Sequence, residues 1–123
     1  MKKLLLFLTV ILFIGCSKDE PSLSKSQIAG KWNVTQAWSY QQNAYIDFAI
    51  MDWYAQFNLD GTYESYDNST HYGTYEINGN SIVSKVGSTV VTYKMTSISG
   101  NKAECELTYQ STGYVDKYKV TRE

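Results

Sequence analysis

Few side chains in this sequence could do chemistry, and they are scattered along the chain. The 123 residues include two cysteines, Cys16 and Cys105, and one histidine, His71. His71 lies in a polar stretch and is predicted to be a solvated turn residue. Glu104 and Glu106 share a polar strand face, where solvation is expected. The sequence has no Gly-x-Ser-x-Gly, HExxH or phosphate-binding glycine motif, so we predict no enzyme activity, no metal site and no cofactor.

The surroundings of Cys16 suggest a role in export. Lys2 and Lys3 precede an apolar run over residues 4–14, and Gly15 separates that run from the cysteine. Eleven residues cover about 16 Å as a helix, whereas a bilayer core requires about 20 apolar residues. The run is therefore predicted to be the hydrophobic part of a secretory signal peptide, residues 1–15.

Residues 13–16, FIGC, resemble the lipobox of bacterial lipoproteins. In that family the cysteine thiol takes a diacylglycerol as a thioether, and cleavage occurs after a small residue such as Gly15. The resemblance implies that Cys16 is lipidated and anchors the protein, since several acyl chains hold a protein durably on a membrane. Residues 17–20, SKDE, resemble the export signal of Bacteroidota lipoproteins, which implies the outer membrane and favours exposure at the cell surface. An ordinary signal peptide that ends near a cysteine is the alternative.

Removal of residues 1–15 changes the charge of the protein. The remaining 108 residues carry nine Lys and Arg and twelve Asp and Glu, a formal charge of −3. An acidic chain without a basic cluster does not attract phosphate backbones, so no nucleic acid partner is expected. Residues 16–27 are polar, rich in serine and hold the only proline, which predicts a flexible lipidated tether. The folded domain is predicted to cover residues 28–123, with Cys105 as a small buried hydrophobe.

Apolar residues alternate with polar ones through most of the predicted domain. Such alternation is typical of strands with one buried face, and the dipeptides DG at 60–61, NG at 78–79 and GN at 100–101 favour tight hairpin turns. Eight strands are predicted, at about residues 30–38, 53–59, 62–67, 71–77, 81–86, 89–98, 102–110 and 114–121. A meander of eight antiparallel strands with one apolar face removes its edges by closing. The predicted fold class is therefore all-β, an eight-stranded antiparallel up-and-down barrel.

Aromatic residues are abundant after residue 15, with eleven Tyr, three Trp and two Phe. Seven of them are predicted to face the interior and to contact a ligand there: Trp38, Trp53, Tyr63, Tyr75, Tyr93, Tyr109 and Tyr118. An eight-stranded barrel is wide enough either to be filled by its own side chains or to hold one small ligand, and both alternatives stay open. Buried tyrosines need hydroxyl partners, which favours a partly polar interior.

The connection over residues 39–52 is long and too apolar for a simple solvent loop. Long loops within compact domains are often functional. Ile46, Phe48, Ile50 and Met51 are therefore predicted to form a lid over one end of the barrel.

From Gly30 onward the sequence resembles the lipocalins, and more closely the compact lipocalin-like domains of Bacteroidota lipoproteins. The phrases that carry the resemblance are GKWNV at 30–34, FNLDGTYES at 57–65 and GTYEINGNSIV at 73–83. The Gly-x-Trp at the start of the first strand belongs to this pattern. The resemblance implies that Trp32 packs across the closed end of a barrel and that Arg122 caps it through a cation–π contact. It implies no particular ligand.

Two functions agree with these patterns. The first is a membrane-anchored protein that binds a small hydrophobic or amphipathic molecule inside its barrel. The alternative is a filled barrel without a ligand cavity, which contacts a protein or glycan, or inhibits an enzyme, through exposed Tyr54, Tyr66 and Tyr72. The presence or absence of an interior cavity distinguishes the two.

Overall fold

The chain forms a small β protein, and the computed structural model describes residues 22–123. A short helix, α1, precedes nine strands, and one turn of 3-10 helix interrupts them. The elements are α1 Lys25–Ile28, β1 Gly30–Ser39, β2 Ala44–Asp47, the 3-10 turn Ala49–Met51, β3 Tyr54–Phe57, β4 Thr62–Tyr66, β5 Thr70–Asn78, β6 Ser81–Val86, β7 Thr89–Ser99, β8 Lys102–Tyr109 and β9 Val115–Arg122. The prediction of an all-β protein is confirmed.

Eight of the strands close into an antiparallel up-and-down barrel. β1 pairs with β3, each later strand pairs with the next, and β9 returns to pair with β1. Glycine permits the tight hairpins, as at Gly79 and Gly100, whose φ angles of 64° and 60° lie in the left-handed region. The predicted eight-stranded barrel is confirmed, and its architecture is consistent with a lipocalin-like fold.

A β-bulge in β1 changes which aromatic side chain faces inward. The pairing of β1 with β9 shifts by one residue between Val34 and Gln36. An extra residue on one strand moves every later side chain to the opposite face. Ala37 is therefore buried, whereas Trp38 lies on the outer face, with the ammonium of Lys117 5.4 Å from the centre of its ring. The prediction that Trp38 faces the interior is wrong, because the alternation of the first half of β1 does not continue past the bulge.

The segment after β1 extends the barrel wall. β3 pairs with the first half of β1 and β2 pairs with the second half, so both lie along the same edge. The amide of Phe48 donates to the Thr35 carbonyl at 2.9 Å, and the amide of Val34 donates to the Trp53 carbonyl at 2.9 Å. The chain from β2 to β3 is thus one long strand from which residues 49–52 loop out.

None of the four predicted lid residues belongs to the wall of the cavity. Ile50 is 88% exposed and Met51 is 37% exposed on the excursion, and Ile46 is half-buried on β2. The ring of Phe48 packs edge-on against Trp53, with 4.8 Å between the ring centres. Backbone pairing with β1 holds this segment beside the mouth of the barrel, and the role of these residues as a lid stays a prediction.

Trp32 and Arg122 close one end of the barrel, in the arrangement that the lipocalin resemblance implies. The guanidinium of Arg122 lies 4.7 Å from the centre of the Trp32 ring. The indole nitrogen of Trp32 donates to the carbonyl of Ile28 at 2.8 Å. Gly30 has a φ angle of 121°, and a Cβ there would lie 2.9 Å from the Arg122 side chain. These contacts join α1, β1 and β9 at the closed end.

Residues 22–27 were predicted to belong to the tether, and they pack against the barrel. The Leu23 amide donates to the Gly79 carbonyl at 2.9 Å, and the Ser22 hydroxyl donates to the same oxygen at 3.3 Å. These bonds attach the start of the described chain to the β5–β6 turn, beside the closed end. The packed part of the chain therefore begins before Ile28.

The N-terminal predictions concern other residues. The predicted signal peptide at 1–15, the lipidation site Cys16 and the SKDE stretch at 17–20 lie outside the described residues. From residue 22 to residue 123, no helix is long and apolar enough to cross a membrane.

Candidate functional site

The barrel encloses a cavity of about 280 Å³ that opens at the end opposite α1. All eight strands of the ring contribute to its wall, because alternate residues of each strand point inward. Apolar wall residues include Val34, Ile82, Val91, Met95, Leu107 and Val120. A single water molecule occupies about 30 Å³ in the liquid, so the volume is far larger than a packing defect. The barrel is not filled by its own side chains.

The structure brings most of the predicted interior aromatics together around this cavity. Five of the seven line its wall: Trp53, Tyr63, Tyr93, Tyr109 and Tyr118. Tyr75 is buried nearer the closed end, where its hydroxyl donates to the Asn58 carbonyl at 2.7 Å. Trp38 lies outside the barrel because of the bulge in β1. Alternation therefore placed side chains correctly where the strands are regular.

Tyr63 and Tyr93 form a polar pair within the cavity. Their hydroxyls share a hydrogen bond between β4 and β7, two strands that are not neighbours in the sheet. Phe57 packs against both rings, with ring centres 5.4 Å and 5.5 Å apart. Burial raises the pKa of Tyr63 and raises the pKa of Tyr93 well above its ordinary value. Both phenols are therefore protonated and neutral at physiological pH.

Two serines that the sequence predictions did not include lie in the same wall. Ser84 is 1% exposed, and its hydroxyl donates to the Val91 carbonyl at 3.0 Å. Ser65 also lines the cavity, and the hydroxyls of both serines lie beside that of Tyr63. The signal for Ser84 was its place two residues after Ile82 on an otherwise apolar face. We name the hydroxyls of Tyr63, Tyr93, Ser65 and Ser84 the hydroxyl patch.

The charged groups at the mouth are mainly acidic. Asp67, where the chain turns from β4 to β5, pairs with the imidazole of His71 at 3.0 Å. Asp116 accepts a hydrogen bond from the Tyr118 hydroxyl at 3.2 Å. Burial and, secondarily, the Asp116 carboxylate raise the pKa of Tyr118. Throughout the described part of the chain, no lysine or arginine belongs to the cavity wall.

Cys105 is buried in this wall, as the sequence predicted. It is 5% exposed, and burial with a smaller effect of the nearby Glu106 carboxylate raises its pKa to about 12. The thiol is therefore protonated and behaves as a small apolar group. Over residues 22–123, no cluster of three or more His, Cys, Asp or Glu side chains is placed to hold a metal ion.

Of the tyrosines named for the alternative function, Tyr54 and Tyr66 also border the cavity, and Tyr72 does not. Tyr54 and Tyr66 stack on each other with ring centres 6.0 Å apart, and the ammonium of Lys31 lies 4.3 Å from the Tyr54 ring. The Tyr54 hydroxyl donates to Glu64, which is the main reason that its pKa is raised to about 12. Tyr72 is 69% exposed. Two of these three side chains thus have partners within the protein.

The cavity offers a molecule apolar contact on most sides and hydrogen bonds at one patch. A hydroxyl group both donates and accepts hydrogen bonds, so the hydroxyl patch suits several uncharged polar groups. A scan against protein-family models finds no match for this chain, and neither does a search of curated proteins.

Proposed function

We propose that this protein binds a small hydrophobic or amphipathic molecule inside its barrel. The observation that carries the proposal is the cavity of about 280 Å³, open at one end and lined by apolar and aromatic side chains. Transfer of a ligand's apolar surface from water into such a cavity contributes about 25 cal/mol per Å². Ligand pockets usually measure about 300–1,000 Å³, so this volume supports a ligand at the small end of that range.

The alternative of a filled barrel acting only through its outer face has less support. It requires side chains to occupy the interior, and the cavity contradicts that requirement. Of the three tyrosines named for it, Tyr72 is the one that is highly exposed. A single exposed aromatic side chain is ordinary on a protein surface.

We also propose that lipid on Cys16 holds the protein at the outer membrane, facing the cell exterior. The lipobox-like FIGC at 13–16 supports the anchor, and the SKDE stretch at 17–20 supports the outer membrane and the outward face. The geometry of the barrel adds a consequence. The described chain starts at Ser22, bonded to the β5–β6 turn beside the closed end. Six residues span at most about 20 Å, so an anchor at Cys16 keeps the closed end near the bilayer. The mouth of the cavity then faces away from the membrane.

The binding proposal can be tested with N-phenyl-1-naphthylamine, an uncharged dye whose fluorescence rises in apolar surroundings. The purified protein is expected to give a saturable signal. Val91→Trp places a large ring in the cavity wall and should weaken dye binding at least tenfold. Thr92→Trp is the matched control, because the next residue on β7 faces outward by alternation and the change should leave binding within twofold.

Two results would contradict the binding proposal. One is a dye signal from the unsubstituted protein that does not saturate. The other is equal weakening by both tryptophan variants while circular dichroism shows that both are folded. Native mass spectrometry of protein purified from its host adds an independent measurement, since a bound ligand is expected to add mass.

The anchor proposal is tested by labelling cells with a palmitate analogue and separating membranes from soluble material. Cys16→Ala should abolish the label and release the protein from the membrane fraction. Cys105→Ala is the control and should keep both the label and the membrane association, because that thiol is buried in the barrel. Membrane association that is unchanged in Cys16→Ala would end the anchor proposal without affecting the binding proposal.

A further inference from the structure

The hydroxyl patch and the charges of the cavity allow the class of ligand to be narrowed. We propose that the cavity selects an uncharged molecule with a hydroxyl or amide group seated on the Tyr63–Tyr93 pair, and that it rejects carboxylates and other anions. This inference rests on the proposed binding function and deepens it. An apolar lining alone would not distinguish fatty alcohols from fatty acids, because their tails are equally apolar. The proposed selectivity depends on the head group.

The hydroxyl patch has unused hydrogen-bonding capacity. Four hydroxyls supply four donors, and each oxygen accepts up to two hydrogen bonds. One proton is used between Tyr63 and Tyr93, and another is used from Ser84 to the Val91 carbonyl. Lone pairs therefore outnumber the protons available within the patch. A ligand hydroxyl or amide that donates and accepts uses this spare capacity.

Within the described chain, the cavity wall offers an anion no compensating lysine or arginine. Over the described range the wall holds no lysine or arginine, and its one histidine, His71, is already paired with Asp67. Arg122 is the only arginine, and its guanidinium is bound at the closed end over Trp32. Burial of an anion without a partner is costly, because the lost hydration is not replaced. A carboxylate in this cavity has no such partner.

The charged groups near the mouth of the cavity also disfavour an anion. Asp67 lines the cavity, and Asp116 accepts a hydrogen bond from the hydroxyl of the wall residue Tyr118. An anion at the mouth meets these acidic groups, and no lysine or arginine of the described cavity wall offsets them. The cavity also disfavours negative charge on its own side chains, because burial raises the pKa of Tyr93. The desolvation that keeps this phenol neutral acts equally on a ligand carboxylate.

The inference is tested by competition between octan-1-ol and octanoic acid for the site occupied by N-phenyl-1-naphthylamine. The two competitors share chain length and differ in the head group. At pH 7.5 the alcohol should displace the dye at a concentration at least about 100-fold lower than the acid. A carboxylic acid loses its neutral form tenfold for each pH unit above a pKa of about 4–5. The apparent affinity for octanoic acid should therefore rise as the pH falls from 7.5 to 5, while that for octan-1-ol, measured at each pH, stays constant.

Substitution of single hydroxyls locates the head group. Tyr93→Phe and Tyr63→Phe keep the rings and should each weaken octan-1-ol binding about threefold to tenfold, the range for loss of one hydrogen bond. The affinity of each variant for the dye is measured directly, and the octan-1-ol value is corrected for any change in it. Tyr75→Phe is the matched control, because its hydroxyl is bonded to Asn58 at the closed end, and it should leave octan-1-ol binding unchanged.

The outcomes separate this inference from the function on which it rests. If the dye does not bind the unsubstituted protein, the proposed function fails, and the ligand class fails with it. If the dye binds and octanoate displaces it as well as octan-1-ol at pH 7.5, the selectivity is overturned and the binding function stands. An affinity for octanoic acid that does not vary with pH overturns the selectivity in the same way. The pH series uses the unsubstituted protein, so poor folding of a tyrosine variant does not affect it.

Discussion

Replacing Arg122 with methionine measures how strongly the closed end holds the barrel together. The change removes the only guanidinium in the sequence and keeps an apolar side chain. Arg122 joins three segments that are distant in sequence. It donates to the carbonyls of Gln27 at 2.7 Å and Ala29 at 3.0 Å, and to the carbonyl of Gly100 at 3.1 Å. The same guanidinium stacks on Trp32.

The expected magnitude follows from these contacts. Hydrogen bonds to charged groups contribute about 1.5–3 kcal/mol each in favourable cases, but Arg122 is half-exposed and water replaces part of what is lost. Each of the three hydrogen bonds to a carbonyl should therefore contribute about 0.5–1 kcal/mol net. The fourth hydrogen bond, which Arg122 donates to the side chain of Asn101, should contribute about the same. The cation–π contact adds about 0.5–1 kcal/mol, and packing of methionine on Trp32 offsets a similar amount. The free energy of unfolding should fall by about 2–4 kcal/mol.

The measurement is urea unfolding at pH 7, followed by far-ultraviolet circular dichroism. Tryptophan fluorescence is a poor probe here, because the substitution changes the surroundings of Trp32 directly. Lys119→Met is the control on the same strand, since its ammonium lies 4.5 Å from the Tyr45 ring on the outer face and its loss should cost at most about 1 kcal/mol. Arg122→Lys should show an intermediate loss, because lysine keeps the charge and lacks the planar fork.

Equal destabilisation by Arg122→Met and Lys119→Met, within about 0.5 kcal/mol, would refute this reasoning. The closed end would then be held by apolar packing around Trp32 rather than by the guanidinium. A much smaller slope of the unfolding free energy against urea concentration in Arg122→Met would show a different failure. The variant would then no longer be cooperatively folded.

Three further predictions concern the interior of the barrel. Gly73→Ala should lower the free energy of unfolding by more than about 2 kcal/mol in urea, because its Cβ would lie 1.9 Å from the Lys85 carbonyl oxygen; a loss below about 0.5 kcal/mol contradicts the close approach of β5 and β6. Cys105 should react with a thiol reagent much more slowly in the folded protein than in urea at pH 8, measured by mass spectrometry of its peptide, because burial raises its pKa to about 12. Stability should fall as the pH rises above about 9, since the pKa of Cys105 and those of Tyr63 and Tyr93 are raised in the folded state while the unfolded chain releases these protons at about pH 8.5–10. Each group changes the free energy of unfolding by at most about 1.4 kcal/mol per pH unit. Cys105→Ala should reduce the slope of the unfolding free energy against pH. A free energy of unfolding that stays constant to pH 11 would contradict the burial of these groups.

Local patterns in the sequence were enough to predict the barrel. Each hairpin depends on a turn dipeptide such as the NG at 78–79, and each strand depends on alternation of its own residues. Both are short-range properties, so they can be read without knowing the rest of the fold. The closed end followed from the resemblance at Trp32 and Arg122, two residues that the structure places in contact.

The direction of a side chain was predicted incorrectly where pairing between strands overrides the alternation within one strand. Trp38 faces outward because the ladder between β1 and β9 slips by one residue at the bulge. Ile50 and Met51 are exposed because β2 and β3 share an edge of β1 and the chain between them loops out. Neither the register shift nor the looped-out segment can be recognised from the sequence of the neighbouring residues. Their positions depend on a partner strand that is distant in sequence.

The candidate site shows the same division. The sequence indicated which tyrosines face inward, and Tyr63, Tyr93, Tyr109 and Tyr118 do line the cavity. It left open whether they fill the interior, because free volume depends on the radius of the closed ring and on how all eight strands pack around it. The bond between Tyr63 and Tyr93 also spans the barrel between strands that are not neighbours. Alternation determines the direction of a side chain, whereas closure of the ring determines what that side chain meets.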